Sequence, residues 1–130
     1  MYQHHKQTVD AFEITLGINK GYGHNNECVT DFEADYQAIA TDIYKRTGVY
    51  VSAVIIPAKV VYNVDWGCPD DGEDVYVIKD VNNTQFVKPD DYKEAVTMLI
   101  ENLATAFEQS TVTTTWSTVK FVYTTKKGDY

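Results

Sequence analysis

Hydrophobic and polar positions alternate between two periods along this chain. Over residues 11–18, Phe12, Ile14, Leu16 and Ile18 are separated by Glu13, Thr15 and Gly17, the two-residue period of a half-buried strand. From Thr30 the period lengthens: Phe32, Tyr36, Ile39 and Ile43 fall on one face of a helix. Thr30 with Glu33 forms a capping box and Asp31 adds negative charge to the first turn. Lys45 and Arg46 occupy the last turn and Gly48 supplies the stop. Residues 49–56 are β-branched and predict a second strand. Pro57, which cannot donate to a ladder, marks an edge, a bulge or a break before extended character resumes over 59–64. Residues 75–80 predict a third strand, with Val75 and Val77 on one face and Tyr76 and Ile78 on the other. A hairpin across the turn-rich segment 65–74 joins it to the second.

Pro89 suits the first turn of a second helix, Asp90 and Asp91 follow at its positive end, and Tyr92, Val96, Leu99, Ile100, Leu103 and Phe107 form its apolar stripe. The threonine-rich run 110–123 predicts a last strand. Its apolar phase moves from Val112 and Trp116 to Val119, Phe121 and Tyr123, so a bulge or a change of partner is expected there. The order βαββαβ predicts an α+β fold: a four-stranded antiparallel sheet, both helices on one face, and a long hairpin between the second and third strands. Residues 1–10 and 125–130 are expected to be flexible tails of a single domain covering 1–130.

Composition narrows the function classes. A chain of 130 residues with 44% hydrophobic content builds one packed core. Its net charge of −8, with no basic patch, disfavours nucleic acid and suits solubility or a partner with a basic surface. Two cysteines, Cys28 and Cys68, are too sparse for a disulfide scaffold, the polar opening residues hold no signal-peptide pattern, and no apolar run approaches the ~20 residues that span a bilayer. A cytoplasmic protein is expected. Its ten tyrosines lead to a second expectation. A sheet face carrying Tyr50, Tyr76, Tyr123 and several threonines is expected to form a homodimer interface.

The densest cluster of chemical groups is the acidic turn, where Asp65, Asp70, Asp71, Glu73 and Asp74 surround Trp66. The spacing does not follow the calcium loop. A solvated turn is the ordinary reading. The sharper one is a contact loop for a basic protein, with Trp66 as anchor and the carboxylates as rim. His24, Cys28 and Cys68 lack the closely paired spacing of zinc ligands, although Cys28 precedes a helix N-terminus that would lower its pKa. The glycines between 17 and 23 lack GxGxxG, GKS or GKT, and Lys20 is the only base among them. No Ser-His-Asp set, catalytic carboxylate pair or HExxH motif stands out, so neither enzyme activity nor a cofactor is expected.

Three runs carry a resemblance: FEITLGIN at 12–19, TGVYVS at 47–52 and LATAFEQSTVTT at 103–114. In this order they are similar to small ferredoxin-like proteins of unknown function from Firmicutes and their phages and mobile elements, from which the chain departs by its insertion around 66–74. The resemblance implies a ferredoxin-like fold. Through the phage connection it also implies an inhibitor of a bacterial defence protein. The leading expectation is therefore a non-enzymatic acidic binding module. The alternatives are an oligomer holding a nucleotide signal between subunits, and a Cys- or metal-dependent enzyme.

Overall fold

The structure is a computed structural model that describes residues 1–18 and 31–127. Strand β1 spans Tyr2–Gly17, helix α1 Phe32–Thr47, strand β2 Val54–Val60, strand β3 Glu73–Val81, helix α2 Pro89–Ala106 and strand β4 Thr113–Lys126. The strands form one antiparallel sheet in the order β2-β3-β1-β4, the ferredoxin-like arrangement. One sheet face supplies Phe12, Ile14, Leu16 and Ile78 to the core. They meet Phe32, Tyr36, Ala40 and Ile43 of α1 and Tyr92, Val96, Leu99 and Leu103 of α2. The 3.6-residue stripes and the two-residue strand alternation thus close on one core.

Helix α1 is capped one residue later than its capping box suggests. The Asp31 carboxylate accepts from the Ala34 amide at 3.4 Å, whereas Thr30 lies outside the described residues. At the other end Gly48, in the left-handed region at φ 79°, donates its N–H to the Tyr44 carbonyl. Residues 49–53 connect the helix to the sheet and are not strand. Val49 and Val51 are nonetheless buried, and the Tyr36 hydroxyl donates to the Val51 carbonyl at 2.9 Å. Strand β2 runs through Pro57, which its edge position tolerates.

The largest departure from the sequence reading lies at the N-terminus. Residues 2–10 are strand and pair with 118–126 of β4, extending beyond β3, whose pairing with β1 starts at Ala11. This two-stranded ribbon also accounts for the phase change in β4. The β1–β4 register is unbroken from Tyr2 opposite Lys126 to Thr15 opposite Thr113, so there is no bulge. Within the body Phe12 pairs with Trp116 on the helix side. In the ribbon the buried position moves to Val9, opposite Val119, on the other face. Residues 82–87 approach there: the Asn82 amide donates to the Asp10 carbonyl and Gln7 Nε2 to Asn83 Oδ1, both at 2.9 Å. Both strands change their buried face at the same level because their cover changes.

The sheet face away from the helices differs in composition from the expected tyrosine surface. Tyr76 stacks on Phe32 beneath the helices, Tyr50 meets Tyr44 edge-on in the α1–β2 connection, and Tyr123 lies against His5 in the ribbon. Aliphatic, hydroxyl and charged side chains occupy the open face instead, with Val54 and Ile56 exposed on β2, Thr113 and Thr115 on β4, and Glu13 and Lys79 paired between them. Among the described residues no helix is long and apolar enough to cross a membrane.

Candidate functional site at the end of the sheet

Three chain segments meet where β1 ends, β3 begins and α2 gives way to the approach to β4. Their meeting point is Gly17. A Cβ at this position would lie 2.6 Å from Gln109 Oε1, 3.1 Å from Gln109 Cδ and 3.2 Å from Glu73 Oε1. The missing side chain therefore lets a carboxamide and a carboxylate converge over the backbone from partners distant in sequence. The turn after α2 fixes the carboxamide. Gln109 donates its backbone N–H to the Ala104 carbonyl at 2.9 Å and its Nε2 to the Phe107 carbonyl at 3.0 Å. Between them Glu108 holds φ at 51°, a left-handed conformation unusual for a residue with a side chain.

Glu73 is fixed from the hairpin side. Its Oε2 accepts from the Tyr62 hydroxyl at 3.3 Å. Tyr62 is held in turn by the buried Cys68, whose Sγ accepts from the Tyr62 amide at 3.4 Å and donates to the Pro69 carbonyl at 3.3 Å. The neighbouring Asp74 takes the Lys59 ammonium at 2.8 Å, and that hydrogen bond, with the charge behind it, raises the lysine pKa. On the helix side of the same sheet end the Phe32 ring stacks on Tyr76 at 4.3 Å and tilts against Phe107 at 5.2 Å, a packed aromatic layer next in sequence to Gln109's turn. The arrangement presents carboxylate and carboxamide oxygens together at one end of a rigid sheet. Such a set suits a small cation with additional hydrogen-bonding groups.

The residues of the acidic turn do not converge on one point. Asp65 lies in a 3₁₀ turn (Val64–Trp66) capped by Asn63, whose Oδ1 accepts from the Asp65 amide at 2.9 Å. Trp66 is 75% exposed, Asp70 is exposed, and Asp71 turns the chain at φ 70°. Only Glu73 and Asp74 reach the sheet end, Glu73 within the cluster and Asp74 in its ion pair. His24 and Cys28 lie outside the described residues. Among the described residues no group of three His, Cys, Asp or Glu is placed to hold a metal. Gly17, Tyr62, Glu108 and Gln109 belong to no motif that marks a site in the sequence. The available signal was the Glu-Gln pair just after α2, inside the run that carried the resemblance.

Comparison with known proteins assigns the chain a place. The model of the SAM lyase family matches residues 7–125. The structure resembles a phage SAM lyase in complex with S-methyl-5'-thioadenosine, at 19% identity over 94% of this chain and 92% of that one, with a TM-score of 0.61. It also resembles a phage SAM lyase in the apo state, at 20% identity over 95% and 93% of the two chains, again with a TM-score of 0.61. No curated protein sequence matches. The structural likeness is one of fold; the family match covers the end of β1, the start of β3 and the turn after α2, which build the Gly17 cluster.

Proposed function

The chain belongs to the SAM lyase family, and from that premise we propose that it cleaves S-adenosylmethionine at the sheet end built on Gly17. The observation that carries this reading is the family match over residues 7–125, which includes Gly17, Glu73 and Gln109. It overturns the expectation of a non-enzymatic acidic module that inhibits a defence protein. The physical reason is twofold. First, the absence of a catalytic triad or metal motif says little about this chemistry, because a sulfonium is already a good leaving group and requires no protein nucleophile. Second, the net charge of −8, read as complementary to a basic protein, also complements a small substrate bearing a sulfonium and an ammonium.

The chemistry follows from the substrate. When the bond between sulfur and the amino acid's γ-carbon breaks, the electron pair moves to sulfur and neutral S-methyl-5'-thioadenosine departs, the molecule bound in the phage relative. If the substrate's own carboxylate attacks that carbon, the four-carbon fragment closes to a lactone. One C–O bond forms, one C–S bond breaks, and no proton or water is consumed. In this reading Glu73 and the carboxamide of Gln109 hold the cationic substrate folded for attack, while Tyr62 keeps Glu73 oriented. Restricting the substrate to a reactive conformer is a recognised source of rate. The expected homodimer is kept only as self-association through the open face, for which the exposed Val54 and Ile56 provide apolar area.

Proton NMR of a reaction with S-adenosylmethionine tests the proposal. S-methyl-5'-thioadenosine and a homoserine lactone should appear together at the earliest times. Free homoserine appearing before any lactone would replace ring closure by hydrolysis.

A further inference from the structure

A second concavity lies away from the sheet end, between α2 and the outer strand β4. Its volume is about 440 Å³, and Asp10, Lys93, Thr97, Trp116 and Thr118 line it. We propose that this groove binds a small zwitterionic α-amino acid with an apolar side chain. The inference does not depend on the lyase reading.

The groove offers both signs of charge beside a fixed apolar wall. Lys93 Nζ and Asp10 Oδ2 form a loose ion pair at 3.7 Å, beyond the range of a direct hydrogen bond. Each therefore has hydrogen-bonding capacity to offer a ligand: Asp10 to an ammonium, Lys93 to a carboxylate. Trp116 is 41% exposed although its ring is packed, 6.1 Å from Phe12 and 6.4 Å edge-on from Tyr92. An aromatic ring clamped from behind and open in front offers a platform for an aliphatic or thioether chain. The hydroxyl of the buried Tyr92, whose ring meets Trp116, has no hydrogen-bond partner among the described residues, and burial, with the charge of Asp80 next, raises its pKa.

Other ligand classes fit less well. A phosphate would meet Lys93 but be repelled by Asp10, and a divalent cation would find one carboxylate beside an ammonium. An amino acid can give each member of the ion pair the direct hydrogen bond that it lacks.

The test uses Trp116 fluorescence in a Trp66→Phe background, since the chain has two tryptophans and Trp66 is on the surface. L-Methionine is the probe. L-Methioninol lacks its carboxylate and 4-(methylthio)butanoate lacks its ammonium. Titration with L-methionine should saturate, and each single-charge analogue should bind about tenfold more weakly or worse, as loss of a charge-assisted hydrogen bond implies. Asp10→Asn and Lys93→Met should weaken L-methionine by a similar factor with an unchanged circular dichroism spectrum, and Glu73→Gln should have no effect. Calorimetry on the unsubstituted protein provides the same reading without the Trp66 change. No saturable response to L-methionine, equal responses to all three compounds, or binding insensitive to both groove substitutions would overturn the proposal. Loss of binding in Glu73→Gln alone would move the ligand to the sheet end and overturn it equally.

Discussion

At the residue scale, position 17 decides how Glu73 and Gln109 meet. Valine suits a strand end, so Gly17→Val should fold while its side chain pushes the carboxamide and carboxylate apart. Release of S-methyl-5'-thioadenosine should fall about a hundredfold, the usual consequence of misplacing a substrate by an ångström. Glu73→Gln keeps the shape and removes the charge, and should lower kcat/KM by about ten- to a hundredfold for a lost charged hydrogen bond. The sequence shows the glycine but not its role, since its two partners lie at the opening of β3 and beyond the end of α2. A different residue tests the electrostatics of the core. Burial raises the Asp80 pKa above its ordinary 3.8, outweighing the bond its carboxylate accepts from the Val81 amide. A raised carboxyl pKa favours the folded state only while the group is protonated, and that benefit is lost as pH rises through the folded-state value. Asp80→Asn, which can still accept from Val81, should therefore raise Tm at pH 7. The gain should shrink as pH falls toward 3.8, and a melting series across pH checks it.

At the element scale, the helices and the central strand were legible because each satisfies one local rule. Pro89 opens α2 and Gly48 closes α1 where their backbone preferences predict. Leu99, fully buried on α2, should cost about 2–5 kcal/mol on truncation to alanine, measured by denaturant unfolding. The ribbon was not legible. Residues 2–10 are too polar to announce a strand, and their pairing with 118–126 depends on contacts over a hundred residues apart. The switch in buried face makes a specific prediction. Val9→Asp, at a buried position, should destabilise the protein far more than Thr8→Asp on its exposed neighbour. Equal effects in thermal melts would contradict the account of the phase change.

For the whole molecule, fold and function were unequally legible. The fold follows from periodicity, which the chain displays openly. The site depends on which loops the topology brings to one end of the sheet, and on a reaction whose leaving group spares the protein the usual catalytic motifs. Charge was visible from the start, but its sign admitted two readings. If it attracts a cationic substrate, kcat/KM should fall severalfold as salt rises from tens of millimolar to several hundred, because the screening length shrinks over that range. The most direct test of the central claim is the rate of S-methyl-5'-thioadenosine release from S-adenosylmethionine by the purified protein. It should be compared with the rates of Glu73→Gln and of the acidic-turn triple variant Trp66→Ala, Asp70→Lys, Asp71→Lys. The sheet-end site predicts release by the unsubstituted protein, near-normal release by the turn variant and strong loss in Glu73→Gln. No release by the unsubstituted protein, or full activity in Glu73→Gln, would contradict it.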